Sequence, residues 1–535
     1  VQSRRRSKAF RRGAFAAPLG AALLVAALAV LLLAGCGKKN AGHPRVLVIG
    51  LDGATFDVID PLLKEGKLPH LAKLIDQGSS GVLESILPPI SPPSWTTATT
   101  GVNPGKHNIF DFFHYSRETG LALLTSSKER RAKPIWKVLN EQGKRTGMIN
   151  IPMTFPPDSV SGFMISGFPF GEATTGFTYP PDLEPKLGLY PLDPFGEGLR
   201  PGLEELLLKR FKLGFERQAA VAKDLLDDEK WDLFWVVFTG TDKVQHFYWK
   251  FADPSLPGYD PLLAEKLGNT IRDFWLRVDE VVGQLVETAG PETDVFVISD
   301  HGFSPIVKEL RLENWLRDQG YVRFPDKNTK APVFDAYAPG PFAGLVRVNR
   351  KGRDHDGIVE TKEDYERLRE EIRQKLEKLR DPDTGDPFVE RIYNREELYH
   401  GPYLENAPDL VFIEKKTRFV ARGGAQIPGV FGPPSYSFSG FHRPEGVLIA
   451  AGPHIRHHSE RQNLSILDVT PTLLWILDAT APKDLDGHAM AGVVGQEQLA
   501  ARPPRIGEEI ITDGSQAIGI SDEGREALEG LGYVK

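Results

Sequence analysis

The sequence predicts a three-layer α/β fold, with helices on both faces of a mostly parallel central sheet and a capping insertion near the C-terminal side of the core. Three observations carry that expectation. From residue 45 onward, short β-branched runs alternate with longer helical patterns. The runs are continuously apolar, as strands buried on both faces must be. Acidic and histidine side chains directly follow several of them, where an open parallel sheet collects its functional groups.

In order, the expected strands are 45–50, 147–151, 232–238, 294–299, 409–413 and 446–450. Expected helices lie near 58–77, 134–143, 202–228, 260–289, 362–379 and 465–477. Residues 45–304 and 436–500 form the expected catalytic core. The stretch 305–435 is richer in charge and turn residues and reads as the cap, while 501–535 reads as a tail with one short helix near 521–533.

The first residues read as an address. Arg4, Arg5, Arg6, Lys8, Arg11 and Arg12 precede an apolar stretch over 14–34, closed by Leu33-Ala34-Gly35-Cys36. A basic segment, an apolar segment and small residues at a cut are the layout of a secretory signal. Leu-Ala-Gly-Cys resembles the bacterial lipobox, which implies lipidation of Cys36, a signal peptide over 1–35 and a polar tether over 36–44. An uncleaved anchor helix is the competing reading, since the apolar stretch is long enough to cross a bilayer. Both readings export the body to the cell envelope, in the periplasm or on the outer face of a membrane.

The net charge is −7, and removing the six leading positive charges leaves −13 for the rest. A body this acidic is poorly suited to nucleic acid, whose binding depends on Lys and Arg neutralising phosphates. Cys36 is the single cysteine, which excludes an internal disulfide and a thiolate metal cluster. Any bound metal must be held by histidine and carboxylate.

Such residues gather at strand ends. Asp52 ends the first run; Asp242 and His246 follow the run ending at Phe238; Asp300-His301-Gly302 follows the run ending at Ser299; His442 precedes the run starting at Gly446. Singly, each reads more readily as a helix cap or a structural histidine. Together they suit a pair of divalent cations. The segment from Pro88 to Gly101 adds Ser91, with prolines fixing an extended approach and a helix able to start at Ser94.

With these residues in place, the chain resembles the alkaline phosphatase superfamily, and within it the type I phosphodiesterase/nucleotide pyrophosphatase group. That group shows a Thr or Ser nucleophile, a proline two residues on, Thr-Gly nine and ten residues on, and a His six residues after the Gly. Here these are Ser91, Pro93, Thr100-Gly101 and His107. Its Asp-x-x-x-His is matched by Asp242 and His246, its Asp-His-Gly by Asp300-His301-Gly302, its late His by His442 and its first-strand Asp by Asp52. The resemblance spans roughly residues 45–480. It implies that Asp52, Ser91, Asp300 and His301 hold one metal and Asp242, His246 and His442 another, both zinc or alternatively manganese. It implies hydrolysis of a phosphate ester, most readily a diester, through a phosphoseryl intermediate.

Departures bear on specificity. Pyrophosphatase members carry Asn three residues after the nucleophile, where this chain has Ser94, a shorter donor, so nucleotide specificity does not follow. Sulfatases share the register but need an Arg where Trp95 stands, which disfavours that activity. Trp95 itself reads as core packing. Ser94 and Lys106 are candidate substrate contacts. Holding neighbouring groups in place, without touching substrate, is the readier reading for Lys106 and His107. Arg347, Asn349 and Arg353 in the insertion are weaker candidates for meeting an anion. Transfer of the phosphoryl or phospho-alcohol group to an envelope glycan or lipid stays open beside hydrolysis, as does a non-catalytic lipoprotein with the same fold.

Overall fold

In a computed structural model the described residues are 43–169, 174–192, 198–323, 333–340, 344–415, 418–423, 427–435 and 437–509. The signal segment, Cys36 and the tail helix near 521–533 lie outside them. From Pro44 onward the chain forms one body. Among the described residues no helix is long and apolar enough to cross a membrane.

The centre is a nine-stranded sheet in the order Gln462–Ser465, Ser79–Glu84, Glu445–Ala451, Thr293–Ile298, Arg45–Leu51, Leu233–Phe238, Thr146–Ile151, Gly162–Ser166 and Thr178–Tyr179. Seven strands run one way. Glu445–Ala451 is antiparallel to both of its neighbours, and Thr178–Tyr179 runs against Gly162–Ser166.

The period-two alternation of the first strand divides its side chains between two cores. Leu47, Ile49 and Leu51 enter a cluster with residues of the Glu204–Asp228, Gly240–Ala252 and Thr270–Ala289 helices. Val46 and Val48 enter the opposite cluster with residues of the Ser91–Thr100, Ile135–Glu141 and Val469–Ile476 helices. Both faces are therefore covered, as the apolar runs predict. Each such buried side chain contributes about 1.5–3 kcal/mol of apolar burial.

Two expectations need correction. The 409–413 run does form a strand, Leu410–Glu414, but outside the central sheet. It lies in a four-stranded sheet with Ala336–Tyr337, Gly344–Val348 and Val389–Asn394, antiparallel to both neighbours. Its apolar character comes from a separate core shared with the Lys362–Glu377 helix through Ile372 and Leu376. The Ser91–Thr100 helix also starts at Ser91 instead of Ser94, with Ile90 as an extended cap. Pro92 and Pro93 sit in its first turn, where a missing N–H costs no helical hydrogen bond.

Candidate two-cation active site

The first strand delivers Asp52 at its carboxyl end, and the backbone turns there because Gly53 takes φ +67°. A Cβ on Gly53 would stand 2.9 Å from the Phe303 ring and 3.3 Å from the Asp242 Cα, so the turn also needs a glycine for space. Around it the Gly240–Ala252 helix acts as a clamp. Thr241 Oγ1 donates to the Asp52 carbonyl at 2.6 Å, and Gln245 Nε2 to the Gly53 carbonyl at 2.8 Å. The Gly53 N–H donates to Asp300 Oδ1 at 3.3 Å, joining the ends of two neighbouring strands.

Asp242 and His246 project from the same helix four residues apart, hence on one face. His442 arrives differently. Its strand, Gly440–Arg443, pairs antiparallel with Gly302–Pro305, setting His442 opposite Phe303. Because the next strand, Glu445–Ala451, runs against the sheet, its amino end lies at the carboxyl ends of the others.

Six side chains converge with Ser91. Ser91 Oγ lies 3.3 Å from His301 Nε2 and 3.5 Å from Asp52 Oδ1. His301 Nε2 is 3.3 Å from Asp300 Oδ2 and 3.6 Å from Asp52 Oδ1. On the other side, His442 Nε2 stands 3.1 Å from Asp242 Oδ1 and 3.0 Å from His246 Nε2, with His246 Nε2 3.4 Å from Asp242 Oδ1. The two groups adjoin through stacked His301 and His442 rings, 3.8 Å between centroids. His301 thus stands within reach of both groups, one with Asp52 and Asp300, the other with Asp242 and His442.

The residues fit divalent cations. Nδ1 of His301 faces the Gly302 carbonyl at 3.1 Å and Nδ1 of His246 the Gly440 carbonyl at 3.0 Å; donating there leaves each Nε2 with its lone pair turned inward. Asp300 Oδ2 is buried and accepts no hydrogen bond, so it and His301 Nε2 face each other as two acceptors. Separations of 3.0–3.6 Å between such atoms match the edges of a polyhedron with metal–ligand bonds of about 2.0–2.2 Å.

Electrostatics agree. Burial, then the charges of Asp300 and Asp242, holds the Asp52 carboxyl well above the usual range, and burial followed by Asp242 does the same to Asp300. Burial and the neighbouring His442 keep His301 neutral, well below the ordinary imidazole value. At Asp242 burial acts upward but is outweighed by His246 and His442, which lower it.

Trp95, Gly50 and His107 support the site, and of these only His107 is expected in that part from the sequence. Trp95 is core packing, as expected, with its ring edge-on to Trp235, yet its Nε1–H also donates to Asp52 Oδ2 at 3.1 Å and aims that carboxylate. A Cβ on Gly50 would meet the Trp95 ring at 2.6 Å, so this strand needs a glycine there. His107 is fully buried and braces the Ser91–Thr100 helix from behind. Its Nδ1 accepts from the Ile109 N–H at 3.1 Å, which leaves Nε2–H to donate to Thr97 Oγ1 at 2.9 Å.

Burial pushes the His107 pKa down to about 3. The unfolded chain therefore binds a proton below about 6.5 that the folded chain refuses. Stability should fall as pH drops from 6.5 toward 3, by up to about 1.4 kcal/mol per pH unit for this group. Urea denaturation across that window should show a shallower slope in His107→Gln.

Other candidates serve elsewhere. Ser94 is fully buried, its hydroxyl 2.9 Å from Ser85 Oγ. Lys106 is ion-paired with Asp486 and donates to the Asp484 carbonyl at 2.8 Å, pinning its turn to the core. In the insertion, Arg353 is buried against Asp409 and Asp354 at 2.8 and 2.9 Å, Arg347 bonds Asp354 at 2.6 Å, and Asn349 donates to two backbone carbonyls at 2.9 Å. These three hold the insertion's own sheet together.

The chain is a hydrolase of phosphoric esters with an alkaline phosphatase-like fold. The profile of the type I phosphodiesterase/nucleotide pyrophosphatase family matches residues 46–442, and the chain belongs to that family. Members of the family are metal-dependent.

No curated protein matches the sequence. Among solved structures, phosphonoacetate hydrolase of Sinorhizobium meliloti, in complex with phosphonoformate, is similar at TM-score 0.52 and 16% identity, over 82% of this chain and 96% of that one. An inactive murine ectonucleotide pyrophosphatase/phosphodiesterase 5 in complex with AMP is similar at TM-score 0.50 and 16% identity, over 84% and 99%. At such identities the likeness establishes the fold.

Proposed function

We propose that this enzyme hydrolyses phosphate diesters by transient transfer of the phosphoryl group to Ser91. The observation that carries the reading is the position of Ser91 Oγ, 3.5 Å from Asp52 and 3.3 Å from His301, whose ring stacks on His442 of the second cluster. Two divalent ions, zinc or manganese, held by Asp52, Ser91, Asp300 and His301 and by Asp242, His246 and His442, would supply charge neutralisation and acidify the serine hydroxyl.

The chain's own residues set the rest. Ser91 Oγ bonds to phosphorus as the bond from phosphorus to the leaving alcohol oxygen breaks; that alcohol takes up a proton, and the Ser91 proton passes to water. Water then cleaves the phosphoseryl ester and restores Ser91. Neutral His301 acts as a fixed acceptor throughout, and Trp95 keeps Asp52 aimed. Pro92 and Pro93 have no N–H, and the Ser94 N–H is used by the Ile90 carbonyl at 3.2 Å. Of the four residues of the first turn, only Ser91 offers a backbone donor to the phosphoryl oxygens, so the helix end is a weak anion site and the two cations would supply most of the charge stabilisation.

We further propose export to the cell envelope with lipidation at Cys36, on the basic segment, apolar segment and lipobox-like ending, and a capping role for 305–435, which carries its own apolar core. The substrate class is tested by comparing a 4-nitrophenyl phosphodiester, the corresponding monoester and the sulfate ester, with zinc and with manganese, with and without an alcohol acceptor. The diester should turn over fastest, to free alcohol and phosphomonoester. Fastest turnover of the sulfate ester, or product formed only with the acceptor, would contradict it.

A further inference from the structure

A cavity of about 580 Å³ opens between the 189–192 segment, the Glu204–Asp228 helix and the start of the Gly240–Ala252 helix. That volume lies within the range of about 300–1,000 Å³ that small-molecule sites occupy. None of the seven site residues lines it, so the reaction centre does not account for it.

The lining joins apolar surface to charge of one sign. Leu192, Phe211 and Phe215 contribute apolar surface, as does Tyr190, whose hydroxyl is taken up by Asn150 Oδ1 at 2.8 Å. The charged side chains are Arg210, Arg217 and Lys243, and among the described residues no carboxylate lines the cavity. Lys243 Nζ stands 5.6 Å from the centre of the Phe211 ring. Arg217 donates to the Leu187 carbonyl at 2.5 Å, a neutral partner. Two acids of the same helix are engaged elsewhere: Glu216 accepts two bonds from Arg277, at 2.7 and 2.8 Å, and Glu205 one from Lys266 at 2.8 Å. Cations grouped around an apolar hollow draw an anion to it.

The space itself is kept open. Gly214 stands midway along a 25-residue helix, where glycine is less stable than alanine. A Cβ there would meet only the Pro191 Cβ, at 4.0 Å, so packing does not demand a glycine. Its effect is to leave that part of the wall without a side chain. Leu189 and Leu213 also line the cavity yet are 95% and 60% exposed, so its apolar surface runs out to the rim.

We propose that this cavity binds a single-chain anionic amphiphile, its acidic head held by Arg210, Arg217 and Lys243 and its alkyl chain lying along Gly214 and the phenylalanines. The proposal does not rest on the diesterase reading. Octanesulfonate, butanesulfonate, octanol and octyltrimethylammonium test it, titrated calorimetrically into the full-length protein below the concentrations at which they form micelles. The octanesulfonate titration is repeated after chelation of divalent ions and in Gly214→Leu and Arg217→Gln, with a melting profile for each protein.

Octanesulfonate should saturate one site, equally with and without divalent ions. Butanesulfonate should bind about tenfold more weakly or worse, because the burial of four methylenes is lost. Octanol and the ammonium should fall by a similar factor for want of an anionic head. Arg217→Gln should weaken octanesulfonate by about tenfold. Gly214→Leu should abolish binding by filling the space while melting no lower than the parent. If that variant fails to fold, Arg217→Gln and the chain-length comparison decide. Octanesulfonate binding that persists in folded Gly214→Leu, that requires divalent ions or that octanol equals would overturn the proposal, as would the absence of saturable binding.

Discussion

Replacing Ser91 by Ala is expected to lower phosphodiester turnover by on the order of 10³-fold or more, because the proposed attacking atom is removed. Folding should survive. The Ser91 hydroxyl makes only long contacts, 3.3 Å to His301 and 3.5 Å to Asp52, and the helix is capped by Ile90 without a side-chain bond. A change below about 1 kcal/mol in unfolding free energy follows. Steady-state kinetics paired with thermal melting check both halves. Near-parental turnover in a well-folded, metal-replete Ser91→Ala would show that another group attacks phosphorus.

Removing divalent ions should have the next largest effect, on stability as well as rate. Without them, Asp52 and Asp300 are buried together beside Asp242, and Asp300 Oδ2 has no donor. A site saturated at about a hundred times its dissociation constant stabilises the fold by about 2.7 kcal/mol. Dialysis against a chelator should therefore lower the melting temperature and abolish turnover, and zinc or manganese should restore both. His442→Ala should bind about one ion fewer per chain than the parent, because it removes a ligand from one cluster. Unchanged melting and turnover after exhaustive chelation would argue that the clusters are structural.

Much of this site could be read in the sequence because its residues stand where apolar runs stop. Asp52, Asp242 and Asp300 each follow a buried strand of a parallel sheet, and that position is dictated by chain direction. The same pattern misplaced 409–413, since a continuous apolar run reports burial on both faces and not the identity of the neighbouring strand. Strands Ser79–Glu84 and Gly162–Ser166, each next to an edge strand of the sheet, are hard to read in the sequence because serine and glycine give a weak strand signal. Two prolines in one turn disguised the true start of the Ser91–Thr100 helix.

The role of Lys106 was hidden for a different reason. Its partner Asp486 lies 380 residues further along, and a long-range ion pair leaves no local pattern. Likewise, the use of Trp95 to aim Asp52 depends on the Ser91–Thr100 helix packing over Gly50. Strand-end chemistry is local and survives in sequence; the contacts that orient it arise only on packing.

Anomalous diffraction at the zinc edge, from crystals of the zinc-loaded protein, tests the paired-cation site most directly. Two peaks are expected, one bounded by Asp52, Asp300, His301 and Ser91 Oγ, the other by Asp242, His246 and His442. No peak at either cluster, or a single ion with Ser91 outside its coordination, would contradict the account.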